Sequence, residues 1–267
     1  MKKVNLAIVG VTGAVGQEFL KLIEERNFPY NKIKMLASAR SAGKKINFMG
    51  KEYTVEETTE NSFEGVDIAL FAGGKASKLF GPAAVKAGAV VIDELKNQLE
   101  DLAEGKTPQA NILPVASLNK HYQIASNLLP QIDIFMDNDY TKEEMKMIDE
   151  TRKIMEDADM KITATTVRVP VYRSHAESVN VEFYDEVSAE SARAALEKFE
   201  GVTVRDNPAE MIYPQPLETS GKDNVEVGRL RKDYSVEHGL NFWVCGDQIR
   251  KGAALNALQI AEKLIGK

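Results

Sequence analysis

The sequence predicts an α/β chain: a doubly wound parallel Rossmann-type sheet leading into a second α+β domain. Three observations carry this prediction. An apolar run, Val4–Val9, ends in the glycine-spaced turn Gly10-Val11-Thr12-Gly13-Ala14-Val15-Gly16. The residues after the turn follow a helical period, with Val15, Phe19, Leu22 and Ile23 on one face and Gln17, Glu18 and Lys21 elsewhere. Strand and helix signals then alternate through Ile92, the rhythm of a sheet wound by crossover helices, and break off after Asp93.

Val4–Val9 reads as a parallel strand buried on both faces, because it is continuously apolar apart from Asn5. Ile33 to Ala37 is a second strand, and Lys45 to Val55, folded around Gly50, a hairpin-like excursion. Asp67 to Phe71 is a third core strand. A helix from Ser77 to Ala87 follows, with Pro82 near its start and Gly88 at its end, and then a strand from Ala89 to Ile92. Glu94 to Glu104 is polar and helical, ends at Gly105, and leads into an irregular stretch marked by Pro114 and Pro130. The remainder mixes helices and strands. Thr141-Lys142-Glu143-Glu144 spells a capping box that opens a helix through Met155. Strands are expected at Lys161 to Val171, Ser178 to Tyr184, Asn224 to Arg231 and Leu240 to Cys245. Helices are expected at Ser188 to Phe199 and from about Gly252 to Ile265. The resulting division is a dinucleotide-binding domain over 1–93, incomplete for its type, an α+β domain over 94–250, and a C-terminal helix over 251–267.

Composition narrows the function classes. With 43% hydrophobic and 28% charged residues the chain is globular and soluble in character. Its net charge of -6, with both signs mixed along the sequence, offers no basic stripe for a nucleic acid. The apolar run after Met1-Lys2-Lys3 is too short to cross a bilayer, and no small-residue cleavage site follows it, so neither a membrane span nor a leader is expected. A single cysteine, Cys245, fits a reducing, cytoplasmic setting, and three scattered histidines make no zinc motif.

The turn between strand and helix is built for a pyrophosphate. Gly10 permits the tight bend, Gly13 lets the backbone approach the phosphates, and Gly16 lets the helix pack closely on the sheet. Thr12, Ala14 and Val15 complete the cradle, whose N–H groups at the helix start face an anion. The end of the second strand selects the dinucleotide. NAD sites place a carboxylate there for the ribose hydroxyls, whereas this stretch offers Ser38, Arg40 and Ser41 and no carboxylate. A guanidinium between two hydroxyls suits a 2′-phosphate, so NADP is the expected cofactor. Gly73-Gly74-Lys75, after the third core strand, is a second cofactor-side loop.

Several longer matches are more specific. Ala7 to Gly16 and Leu36 to Gly43 are joined by Leu129-Pro130-Gln131-Ile132-Asp133, Asp137-Asn138-Asp139-Tyr140 and Glu143-Glu144-Met145-Lys146-Met147. Then come Val167-Arg168-Val169-Pro170-Val171, Ser174-His175-Ala176-Glu177-Ser178, Val227-Gly228-Arg229-Leu230-Arg231-Lys232-Asp233 and Lys251 to Glu262. In order and wording the chain resembles the aspartate-semialdehyde dehydrogenases, most closely their Gram-positive bacterial form. The resemblance implies NADPH-dependent reductive dephosphorylation of β-aspartyl phosphate to aspartate semialdehyde, a step of amino-acid biosynthesis, in a homodimer, with 94–250 as the substrate and dimerisation domain and the 251–267 helix returning to the first domain. It further implies His175 as acid and base, Arg168 as clamp on the substrate carboxylate, Glu143 and Lys146 as substrate and phosphate contacts, and Asn256 beside the cofactor. Side-chain chemistry agrees, since an imidazole moves protons near neutrality and a guanidinium grips a carboxylate bidentately.

One departure is large. The family's nucleophile is a cysteine in an Asn-Cys-Ser/Thr loop, and no such triplet occurs here. The loop with a phosphate-binding arginine and the glutamine segment before the substrate domain are absent too. All three belong between Ile92-Asp93 and Glu94-Leu95, so a single internal deletion accounts for them. Cys245, inside the apolar Phe242-Trp243-Val244, reads as a core cysteine with a normal or raised pKa. Three readings follow: a shortened version of an active dehydrogenase, an NADP-binding pseudoenzyme paired with an intact subunit, or a remnant with neither role. For the polypeptide as written the expectation is no catalysis.

Overall fold

A computed structural model describes residues 3–72, 98–108, 110 and 120–266. The expected helix at 77–87, the strand at 89–92 and the loop at Gly73 lie outside them. The described chain divides into two compact units. One joins residues 3–72 to 173–266, and the other occupies the described part of 98–172.

In the first unit, β1 (Val4–Val9) lies between β2 (Tyr30–Ala37) and β6 (Ile68–Phe71), parallel to both. The short β5 (Glu56–Glu57) pairs outside β2, giving the order β5-β2-β1-β6. Flanked on both edges and covered on both faces, β1 is apolar at every position but the half-buried Asn5, which explains its sequence. Leu6 and Ile8 face α1 (Ala14–Glu25) and pack with Phe19, Leu22 and Ile23, while Ala7 and Val9 face Leu36, Phe63 and Val66. Each fully buried large side chain here contributes roughly 1.5–3 kcal/mol from removed apolar surface. The hairpin expected around Gly50 is β3 (Lys45–Phe48) with β4 (Lys51–Thr54), turned by Met49 and Gly50 at positive φ.

The same unit holds a second sheet of β7 (His175–Glu182), β8 (Val202–Val204), β9 (Val225–Asp233) and β10 (Gly239–Gly246), in the order β7-β10-β9-β8. The chain ends in a π-turn, Arg250–Ala254, that runs into a final helix, Leu255–Leu264. Ala254, Leu255, Leu258 and Ala261 of that segment share the core of β1 and α1. An ion network centred on the buried Arg250 and Glu262 reinforces this packing. Arg250 pairs with Glu18 at 2.8 Å, Glu25 at 2.9 Å and Asp223 at 2.7 Å, and Arg26 pairs with Glu262 at 2.6 Å. The periodicity of α1 puts Glu18 with its polar residues, yet the structure buries it at 7% exposure. The arginines that make this possible lie more than 150 residues downstream, at 173 and 250, beyond the reach of any local pattern.

In the second unit, residues 98–103 are helical and end at Gly105 with φ +71. The buried Gln98 side chain accepts the N–H groups of Ile124 and Ala125, both at 2.9 Å. The capping box stands as expected on α2 (Lys142–Met155). Thr141 Oγ1 accepts Glu144 N at 3.2 Å, and Glu144 Oε2 accepts Thr141 N at 2.7 Å. The strand expected at Lys161 to Val171 is not a strand. Its residues alternate in exposure, but the one ladder position among the described residues is an antiparallel bridge from Arg168 to Leu129. Alternation marks an extended segment with two faces; a strand also needs a partner along its length.

Candidate functional site

The phosphate turn is shaped by close backbone approach. Gly10 has φ +82, and a Cβ there would stand 3.0 Å from the carbonyl oxygen of Ala72. At Gly16 a Cβ would fall 2.3 Å from Gly10 O and 2.6 Å from Val11 Cα, so only glycine lets α1 begin this near the turn. Leu36 O accepts both Gly10 N at 2.8 Å and Val11 N at 3.1 Å, which anchors the turn to the end of β2. Gln17 Nε2 donates to Val11 O at 2.7 Å and braces it from the helix. Gly13 caps α1 without a side-chain acceptor, and the first turn contains no carboxylate. The leading N–H groups at Ala14, Val15 and Gly16 are therefore left for an external anion, with the helix dipole behind them.

The turn and the end of β2 converge. Thr12 Oγ1 lies 3.4 Å from Ser41 Oγ, while Arg40 sits exposed on the short 3-10 turn Ala39–Ser41 and Ser38 sits exposed just before it. One feature is invisible in the strand's own sequence. The neighbouring β5 places Glu56 opposite Leu36 and Glu57 opposite Ala37, so carboxylates do stand beside the end of β2.

His175 begins β7 in register with Gly246 and is exposed. Asn256 is exposed on the final helix. Both belong to the first unit, whereas Glu143, Lys146 and Arg168 belong to the second. There, Glu143 and Lys146 form an i,i+3 ion pair of 3.3 Å on α2. The Arg168 backbone is fixed by two hydrogen bonds to Leu129, at 2.8 and 3.0 Å. Its guanidinium is partly buried, and its Nε is buried with no hydrogen-bond partner among the described residues. Burial lowers the Arg168 pKa, and the negative charge of Glu143 partly restores it. A buried guanidinium donor without an acceptor is a costly arrangement that an incoming carboxylate would relieve. Glu144 ties these parts together, because its second oxygen accepts Thr166 N at 2.8 Å, two residues before Arg168.

Cys245 is buried in β10, and burial pushes its thiol up to about 11. It is the only cysteine in the sequence. A thiol in that state supplies no thiolate near neutrality. Among the described residues there is no cluster of histidine, cysteine or carboxylate side chains able to hold a metal ion, and no helix long and apolar enough to cross a membrane.

Comparison with known proteins gives a consistent picture. Residues 5–98 match the family described as the NAD binding domain of semialdehyde dehydrogenases, and residues 83–251 match its dimerisation domain. The aspartate-semialdehyde dehydrogenase of Aquifex aeolicus is 41% identical over 339 aligned positions, covering 98% of each chain. That of Bacillus subtilis is 38% identical over 335 positions, covering 97% of each. Among solved structures, aspartate semialdehyde dehydrogenase II of Vibrio cholerae, complexed with ASA, superposes with a TM-score of 0.86 at 33% identity, covering 100% of this chain and 99% of its own.

Proposed function

Because the chain belongs to the aspartate-semialdehyde dehydrogenase family, we propose that it keeps the family's dinucleotide site, with NADP as the ligand, and does not catalyse the family's reaction as this 267-residue polypeptide. The observation that carries the binding half is the open N-terminus of α1, set close against the turn by a backbone approach that only Gly10 and Gly16 allow. NADP would be held by the N–H groups of that turn, with Ser38, Arg40 and Ser41 at the 2′-phosphate and Asn256 nearby. In its reduced form, NADPH, it would supply the hydride of the family's reaction. In this reading Arg168, Glu143 and Lys146 still offer contacts for the substrate's α-carboxylate and phosphate, and His175 stands in the place of the family's acid–base residue without the nucleophile that its proton transfer serves.

The catalytic half rests on the nucleophile. The family's thioester route needs a thiolate on a positioned loop, and this chain's only thiol is buried in β10 with its pKa raised. The length of the match supports a missing internal segment: the alignment with the Aquifex protein runs over 339 positions, at least 72 more than the 267 residues present here. The motif wording near residues 36–43 and 129–147 favours the Gram-positive form within the family. The location in this reading is the cytoplasm. Self-association into a homodimer follows from the dimerisation domain matched over 83–251. The retained clamp and histidine favour a second role, an NADP-loaded partner for an intact subunit.

Two experiments test this. The pure chain should show no NADPH oxidation dependent on β-aspartyl phosphate, and turnover that thiol reagents abolish would overturn the reading. Calorimetry should give tighter binding of NADP than of NAD, with the preference lost in Arg40→Ala. Equal affinities in the parent chain would mean that Glu56 and Glu57 govern the site instead.

A further inference from the structure

The residue before His175 is strained. Ser174 is buried and has φ +77, a left-handed conformation outside the common wells for a residue with a Cβ. Its surroundings over-determine it. Ser174 N donates to Gln248 Oε1 at 2.8 Å, and Ser174 Oγ accepts Thr219 Oγ1 at 2.9 Å. One residue earlier, the Arg173 carbonyl accepts Ser220 Oγ at 3.2 Å.

The Arg173 side chain is clamped between two buried carboxylates, Asp247 at 2.6 Å and Glu18 at 3.3 Å. Asp247 is itself fixed by the N–H groups of Gly221 at 2.6 Å, Ile249 at 2.9 Å and Arg250 at 3.1 Å. Glu18 belongs to α1, the helix that begins at the phosphate turn, and its other oxygen is held by Arg250. Taking these charges out of water is expensive, and an apolar contact would join the elements as firmly. Both the expensive features, the desolvated ion pairs and the left-handed serine, meet at the two residues that precede His175.

We propose that Arg173, gripped by Glu18 and Asp247, and Ser174 are positioning residues that fix where His175 leaves the start of β7 and tie that place to the dinucleotide helix α1. The inference deepens the reading of His175 as the proton-handling group and rests on it for its functional meaning. The clamp works by geometry: Glu18 relates Arg173 to the helix, Arg173 and the serine set the backbone, and the backbone sets the imidazole.

The test is imidazole NMR on the full 267-residue chain without ligand, where only His121, His175 and His238 contribute. Glu18→Gln, Arg173→Lys and Ser174→Gly are each expected to shift or broaden the His175 ring resonances and leave those of His121 and His238 in place. Arg193→Lys, which disturbs the Arg193–Asp206 ion pair of 2.5 Å elsewhere in the same unit, is expected to leave His175 unmoved. Ser174→Gly keeps every charge and tolerates positive φ, so it folds even where a charge variant does not, and it decides the question alone. A His175 resonance that superposes on the parent's in Ser174→Gly overturns the proposal, as does movement of all three histidines together. Failure of the chain to bind NADP in calorimetry would sink the cofactor reading and leave these ligand-free spectra as valid as before.

Discussion

Replacing Gly16 by alanine separates stability from ligand binding. The added Cβ would stand 2.3 Å from Gly10 O, 2.6 Å from Val11 Cα and 2.8 Å from Val11 C, all backbone atoms of the phosphate turn, where ordinary contact begins near 3.4 Å. The turn and the helix start must therefore separate by about 1 Å, and overpacking of this kind costs about 1–3 kcal/mol. Alanine also raises helix propensity by about 0.8–1 kcal/mol over glycine, so the net loss of folding stability is about 0–2 kcal/mol. Binding suffers more. The same displacement takes leading N–H groups of α1 away from the pyrophosphate, and each hydrogen bond to a charged group is worth about 1.5–3 kcal/mol. Losing one of these lowers NADP affinity by about 10- to 100-fold. Calorimetric titration beside a urea melt measures both quantities. A Gly16→Ala protein that binds NADP within threefold of the parent would refute the placement of the pyrophosphate on this turn.

Two other outcomes follow from the second unit and from β10. Hydrogen bonds from Thr141 and Thr166 outweigh the burial that raises the Glu144 pKa, so the folded value lies below the ordinary one. A depressed carboxylate contributes stability above its unfolded pKa of about 4.3, and that contribution is lost as pH falls through the folded value. Glu144→Gln should thus cost about 2 kcal/mol at neutral pH, and urea melts should show the gap from the parent closing on acidification; a gap unchanged with pH would contradict this. Cys245 should react with thiol reagents at mild alkaline pH only on the unfolding timescale, and prompt modification of the native chain would remove its assignment to the core.

Much of this was legible in the sequence because the responsible interactions are local. The glycine spacing at 10, 13 and 16, the capping box at Thr141 and Glu144, and the apolar surroundings of Cys245 each report physics acting within a turn or two. What escaped depends on distant partners. Glu18 looks solvated until Arg173 and Arg250 arrive, and the carboxylate-free end of β2 acquires Glu56 and Glu57 only when β5 pairs beside it. The 161–171 segment has the alternation of a strand, but alternation carries no information about whether a neighbour exists. Ser174 gives no signal at all, since nothing about a serine in sequence announces a left-handed backbone.

The core around β1 and α1 is closed by residues from the far end of the chain. Arg250 reaches Glu18 across 232 positions, and Arg26 reaches Glu262 across 236. During synthesis at about 5–20 residues per second, the nucleotide-binding strands leave the ribosome roughly 10–50 s before the segment that covers their apolar face. For that interval the cell handles a half-built sheet whose interior is open to chaperones and proteases. A stop codon only some fifteen residues early would make the condition permanent. The last helix, which closes the core of β1 and α1, is thus where nonsense mutations and C-terminal fusions should be most damaging to the yield of folded protein.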